Sequence, residues 1–283
     1  WRFKNNPTGI IAIKLIWDQD LLVGHYAVSP LKMMINGQTK LTALSMTTMT
    51  HPEYAGKGIF TKLASSLDEV LHNDYNINAV WGFPNNNSHY MYVNKLGWTD
   101  LSVVHSLHLN ANKFKESNTV SIDRFYEFTN MHVDKLEKIS SNSKVKVQKD
   151  LDYLKWRYVD NPVADYLKFD VKTPNETGFV IIKKFISITE IGSIELNIME
   201  LGIEDASLVS EILYKIKEYL KDDIILNANI WISLWERRHS LLEKAGFVPF
   251  GKQTFLGIKC FEDSPEILDF RNWHYSYGDS DVY

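Results

Sequence analysis

Residues 50–63 read THPEYAGKGIFTKL. Gly56 and Gly58 stand two apart with Lys57 between them, and an apolar helical pattern begins at the next residue. Ile59, Phe60, Leu63, Ala64, Leu67, Val70 and Leu71 make the i, i+3/i+4, i+7 stripe of a helix that faces a core. Upstream, 41–50 reads as a strand. Strand, two-glycine loop and helix N-terminus together form an anion-binding arrangement. The first amides of a helix lack an internal acceptor, and the helix dipole adds partial positive charge there. Glycines let the backbone approach a phosphate or pyrophosphate closely. The segment meets neither G-x-x-x-x-G-K-[ST] nor G-x-G-x-x-G, because position 61 is Thr. On the loop alone, a plain turn is the competing reading.

The chain repeats itself. WRFKNNP at 1–7 returns as WRYVDNP at 156–162, with Phe3/Tyr158 and Asn5/Asp160 as close replacements. Adding 149 to the helical stripe gives Leu208, Val209, Ile212, Leu213, Ile216, Tyr219 and Leu220, again one apolar face. The same shift carries KLGW (95–98) onto KAGF (244–247). Three matches in one order read as an internal duplication. The first copy carries about six extra residues, assigned to a hairpin with Asn36-Gly37 at its tip. The polar run 110–118 reads as the linker, and the expected domains are 1–112 and 119–283. The second copy has roughly 35 residues before its Trp-Arg-Tyr that the first lacks, so the first is expected to miss its opening strand and helix.

The expected strands are 9–17, 20–28, 41–50, 78–83 and 101–109, then 121–127, 166–172, 178–188, 192–201, 224–232 and 249–260. Helices are expected at 58–73, 87–95, 130–140, 149–159, 206–221 and 234–245. Under the shift, Ala55, Gly56 and Gly58 become Glu204, Asp205 and Ser207. Carboxylates at that mouth cap a helix but repel pyrophosphate. The scaffold positions therefore survive in both copies and the phosphate-binding positions only in the first.

The 283 residues carry a net charge of −4, so no global basic field points to nucleic acid. A single cysteine, Cys260, permits no internal disulfide and fits a cytoplasmic home. No apolar run reaches the length of a membrane span. No metal-ligand spacing is present.

EYAGKGIFTKL (53–63) resembles the pyrophosphate loop of the GCN5-related N-acetyltransferases (GNAT family), whose pattern is Q/R-x-x-G-x-G/A. It departs at Glu53 and Ala55. VWGFPNNNSHYMYVNKLGW (80–98) is similar to the family's fifth strand and the short helix after it. Its GFPN…S…KLGW wording resembles the branch found in surface-polysaccharide and amino-sugar pathways. The resemblance implies an α/β (α+β) fold of two tandem GNAT-like domains, each a mixed, mostly antiparallel twisted sheet flanked by helices. It implies acetyl-CoA as cofactor and transfer of acetyl to the primary amine of a small molecule, with an amino sugar or nucleotide-linked amino sugar as the expected acceptor. No nucleic-acid or membrane partner is expected, and oligomerisation is left open.

By position the resemblance puts a thioester-polarising backbone amide at Met49 or Thr50. It puts the pyrophosphate cradle at Ala55, Gly56, Lys57, Gly58, Ile59, Phe60 and Thr61. Pantetheine contacts fall at Asn85, Asn87 and Ser88, with Ser88 as a helix N-cap the competing role. The proton donor to the leaving thiolate is Tyr92, with Tyr90 next. Histidine suits an amine-deprotonating base near neutral pH, so His51 and His25 are the candidate bases, with a carboxylate or a water relay as the competing readings. His25 and Phe83 are expected to face the acceptor, as are Asp279 and Asp281 of the aromatic tail NWHYSYGDSDVY. The competing readings are a non-catalytic CoA-binding scaffold and an aminoacyl transferase of the peptidoglycan-bridge type.

Overall fold

The computed structural model describes residues 1–251 and 254–280. The chain forms two compact units, each assembled from discontinuous segments. The first holds Trp1–Val104, Lys144–Gln148 and 254–273, and the second holds His105–Ser143, 149–251 and 274–280.

Along the chain, β1 (Ala12–Asp18), β2 (Leu21–Ile35) and β3 (Gln38–Thr50) form an antiparallel meander. Asn36 (φ 48°) and Gly37 (φ 79°) make the two-residue turn between β2 and β3, both in the left-handed region that such hairpins require. Then come α1 (Ile59–Asn73), β4 (Ala79–Gly82), α2 (Asn86–Leu96), β5 (Thr99–Val103) and β6 (Ser106–Asn110). Next are β7 (Ser121–Arg124), α3 (Asn130–Ile139), β8 (Val145–Val147) and α4 (Leu151–Tyr158). These lead into β9 (Tyr166–Lys172), β10 (Thr177–Ile186), β11 (Ser193–Gly202) and α5 (Val209–Tyr219). The chain ends with β12 (Ile224–Trp231), α6 (Arg237–Lys244), β13 (Val248–Pro249), β14 (Phe255–Cys260) and α7 (Pro265–Leu268).

The first sheet runs β1-β2-β3-β4-β14-β5, with β8 also pairing β2. The second runs β13-β6-β12-β11-β10-β9-β7. In both, an antiparallel meander is followed by one parallel pair, β3 with β4 and β11 with β12. Each sheet packs its core under the helix that sequence periodicity marked. Leu63, Leu67 and Leu71 of α1 bury against Tyr26, Val28 and Val80. Val209, Ile212, Leu213 and Ile216 of α5 bury against Leu196, Ile198 and Ala228.

Local details repeat between the units. The Asn6 side chain accepts from Thr8 N at 3.0 Å, and Asn161, its counterpart in WRYVDNP, accepts from Val163 N at 3.1 Å. Gly97 (φ 71°) and Gly246 (φ 102°) stop the equivalent helices, and each precedes a buried aromatic, Trp98 or Phe247.

Several sequence expectations need correction. The stretch 101–109 is two strands, because β5 and β6 are separated only by Val104 and His105 yet belong to different sheets. The stretch 249–260 likewise divides between β13 in the second sheet and β14 in the first. β8 was not expected at all. The run 110–118 is not a free linker, because Ala111 and Phe114 are buried in the second unit's core. The expected cut between 112 and 119 falls inside the second unit. No helix among the described residues is long and apolar enough to cross a membrane.

Candidate active site

In the first unit β3 and β4 are joined by only two register pairs, Ala43↔Val80 and Leu44↔Trp81. β3 then runs on to Thr50 while β4 stops at Gly82, so the two strands part. Opposite β2, the step from Ser45 to Thr48 on β3 faces only Val28 to Tyr26, an irregularity that leaves one extra residue in β3. Such a bulge re-aims backbone groups and side chains.

Tyr92 of α2 reaches this opening. Its hydroxyl lies 2.9 Å from Ser45 Oγ and 3.4 Å from Thr48 Oγ1, and Tyr26 donates to Ser45 Oγ at 3.1 Å. Tyr26 is fully buried, and burial followed by the neighbouring Tyr92 raises its pKa well above the usual value, so it stays a donor. The Tyr92 ring is held between Phe60 (5.5 Å) and Trp98 (4.4 Å). Tyr92 thus touches both sides of the bulge, at Ser45 and Thr48. Ser45, Thr48 and Tyr26 were not singled out in the sequence. Tyr90, by contrast, is 59% exposed and turned away from the core.

The glycine loop lies at the end of β3. Gly56 (φ 75°) and Gly58 (φ 74°) are both left-handed, and a Cβ on either would meet nothing within 4 Å. Gly58 is the N-cap of α1 and supplies no side-chain cap, which leaves the first-turn amides to an outside acceptor. Ala55 N and Lys57 N turn inward to Pro52 O (3.1 Å) and Tyr54 O (3.4 Å). Around the loop, the Lys57 ammonium covers the Tyr54 ring at 4.3 Å, and the Tyr54 hydroxyl donates to Asp18. Thr61 is half-buried and Ile59 and Phe60 pack on the core, so their contribution to a cradle is backbone.

The remaining expected residues divide. Asn85 is the N-cap of α2, and its carboxamide accepts from Asn87 N (3.0 Å) and Ser88 N (3.2 Å). Ser88 is thus not the cap, because Asn85 holds that place. His51 caps a short 3-10 turn, with Nδ1 accepting from Glu53 N at 3.4 Å. His25 lies opposite Met49 in the β2–β3 ladder, with Phe3 edge-on at 6.3 Å. Phe83 is buried against Trp81.

Asp279 does not face an acceptor. It is buried in the second unit, where the chain's own Lys149 sits 2.9 Å away as an ion pair without hydrogen-bond alignment. Glu200 holds the same ammonium at 2.6 Å. Burial opposes the Lys149 charge, but the two carboxylates outweigh it and raise its pKa. Asp281 lies outside the described residues.

The corresponding places in the second unit are filled by the chain itself. The Glu176 carboxylate accepts from Glu204 N (3.1 Å) and Asp205 N (2.8 Å), the amides of the loop that matches the glycine loop. Asp205 Oδ1 accepts from Ser207 N at 3.2 Å. β11 and β12 stay paired over six positions, from Ser193↔Ile224 to Ile198↔Ile230. Beyond them, the buried Arg238 donates to Leu201 O (2.5 Å) and Ile203 O (3.2 Å) and pairs with Glu236, which also binds His274 at 2.9 Å. Among the described residues no group of three His, Cys, Asp or Glu is placed to hold a metal ion.

Comparison with known proteins bears on the fold. Residues 1–100 match the family model described as "Acetyltransferase (GNAT) domain". No curated protein matches the chain in sequence. A GCN5-related N-acetyltransferase structure from Anabaena variabilis superposes with a TM-score of 0.64 at 12% identity, covering 88% of this chain and 62% of that one. One from Kribbella flavida gives 0.61 at 14% identity, covering 91% and 61%. Saccharomyces cerevisiae N-myristoyltransferase with bound myristoyl-CoA gives 0.57 at 10% identity, covering 86% and 68%. The chain thus spans about three fifths of the length of the two GCN5-related structures. Residues 1–100 thus resemble a GNAT acetyltransferase domain, and the chain shares the fold of these structures.

Proposed function

We propose that the protein is an acyl-CoA-dependent N-acyltransferase that moves acetyl from acetyl-CoA to the primary amine of a small molecule. The observation that carries this reading is the contrast between the two glycine-loop positions. The loop of 55–61 is open, with room at both glycines, whereas Glu176 already occupies its counterpart. An anion site satisfied by an internal carboxylate has no amides left for a pyrophosphate. The cofactor is therefore assigned to the first unit, and the second copy is a scaffold with the same strand order.

Acetyl-CoA supplies the activated acyl group. The backbone amides of Gly56 and of Gly58 to Thr61 bind its pyrophosphate, those of Ala55 and Lys57 being taken by Pro52 O and Tyr54 O, and the parted β3 and β4 admit its arm. Tyr92, positioned by Ser45 and Thr48, holds a proton for the departing thiolate. His51 is the base for the amine. Its Nδ1 is engaged by Glu53 N, so the role falls to Nε2. The lone cysteine supports direct attack without a thioester on the enzyme, since burial pushes the Cys260 thiol up to about 11. The choice of an amino sugar rests on the resemblance of 80–98.

Calorimetric titration of acetyl-CoA and myristoyl-CoA into the intact chain tests the reading. One-to-one binding of acetyl-CoA is expected, and a Gly56→Asp/Gly58→Ser variant, which copies the second repeat, loses it. Failure of the intact chain to bind either thioester would overturn the assignment, and preference for the long chain would replace acetyl by a fatty acyl group.

A further inference from the structure

One face of the second sheet packs the core through Leu107, Leu109, Leu196, Ile198, Ala228 and Ile230. Strand residues alternate sides, so the residues between these share the opposite face. The register sets Lys183, Asn197, Asn229 and His108 side by side across β10, β11, β12 and β6. Beside them stand Glu195 and Asn227.

Asn229 is only 5% exposed, and its orientation is determined. Its Nδ2 donates to Glu195 Oε2 and Asn197 Oδ1, both at 3.0 Å. A carboxamide oxygen could not serve the Glu195 carboxylate, so Oδ1 turns the other way. That oxygen is buried and has no hydrogen-bond partner among the described residues. Asn227 Oδ1 and His108 Nδ1 are likewise buried without partners among the described residues. Buried polar atoms are ordinarily satisfied, so three orphans on one face, on adjacent strands, mark a place built for something else.

The rim is aromatic. Phe250 stacks on His108 at 4.4 Å, with the rings 4° from parallel, and Phe250 is 49% exposed. Burial, then the charge of Lys113, lowers the His108 pKa despite the opposing pull of Glu195, so the imidazole is neutral at pH 7. A neutral imidazole offers one donor and one acceptor.

We propose that this face binds a saccharide ring. Hydroxyls both donate and accept, so adjacent hydroxyls of one ring satisfy two amide oxygens and a neutral imidazole together. Phe250 presents an apolar surface to the ring's C–H face. An anion is disfavoured by the two carboxamide oxygens and the Glu195 carboxylate, and an apolar ligand would leave all three orphans unpaired. The inference does not depend on acyl transfer in the first unit.

The test is an NMR titration of the intact, isotope-labelled chain with glucose, glucosamine and N-acetylglucosamine, and with inorganic phosphate as the anionic probe. Saturable shifts of the His108 imidazole and Asn229 carboxamide signals are expected with at least one saccharide. Asn227→Ala and His108→Phe should each weaken binding about tenfold, roughly 1.4 kcal/mol. The Gly56→Asp/Gly58→Ser variant should bind the saccharide unchanged, which separates this site from the first unit. Unmoved signals with every saccharide would mean ordered water only and overturn the proposal. So would a response to phosphate alone, or saccharide shifts indifferent to both variants.

Discussion

Glu236 offers the sharpest test of how the second unit fills the place that matches the opening in the first. Its carboxylate is buried and pairs with Arg238 and His274, and through Arg238 it supports the bonds to Leu201 O and Ile203 O. Burial alone would raise its pKa, but the Arg238 and His274 charges and hydrogen bonds overcome that and lower it from 4.5 to about 2. A depressed carboxylate pKa stabilises the fold above the unfolded value, and that stability is lost as pH falls from 4.5 toward about 2. A displacement of that size corresponds to about 3 kcal/mol at neutral pH. Glu236→Gln keeps the shape and removes the charge. Urea denaturation from pH 7 down to pH 3 should show the variant weaker by about 3 kcal/mol at the neutral end, with the two curves converging as the acid limb is descended. Equal stabilities at pH 7, or a gap that stays constant through the acid limb, would refute the argument that Glu236 is held ionised by its partners.

Two further outcomes follow from the first unit. Tyr92→Phe preserves the packing against Phe60 and Trp98 but removes the hydroxyl, so steady-state kinetics should show kcat down by about a hundredfold with acetyl-CoA affinity unchanged. Asp68 of α1 is buried, which raises its pKa, and Lys259 at 2.8 Å only partly offsets this. Ionised Asp68 is therefore a cost that grows as pH rises through 3.8. Lys259→Met should cost about 2 kcal/mol and steepen the decline from acid to neutral pH, whereas Asp68→Asn should change stability by less than about 1 kcal/mol. Chemical denaturation at several pH values distinguishes the two.

The legible parts of this molecule were those written locally. The helices α1 and α5 announce themselves by apolar spacing. Asn36-Gly37 names its hairpin, and Gly56 and Gly58 mark a loop that needs left-handed backbone. What was missed depends on partners remote in sequence. Ser45 and Tyr26 matter through a bulge and a hydroxyl chain that no periodicity reveals. Glu176 fills the second loop from 28 residues away, with no motif around it. The tail aspartate looked available for a substrate amine because Lys149 lies far upstream. The breaks at Val104 and near Gly251 carry too little turn chemistry to show that one extended stretch serves two sheets.

That sharing of strands constrains how the molecule is made. β14 lies between β4 and β5, so the first sheet cannot close until residues 255–260 have been synthesised. At ~5–20 residues per second, the stretch from Val103 to Phe255 takes about 8 to 30 s to translate. Throughout that interval β4 and β5 present unpaired edges, a state open to misassembly and to chaperone capture. The first unit is thus completed by a strand about 150 residues downstream of β5, and the glycine loop it carries reaches its finished setting only after that strand has been made.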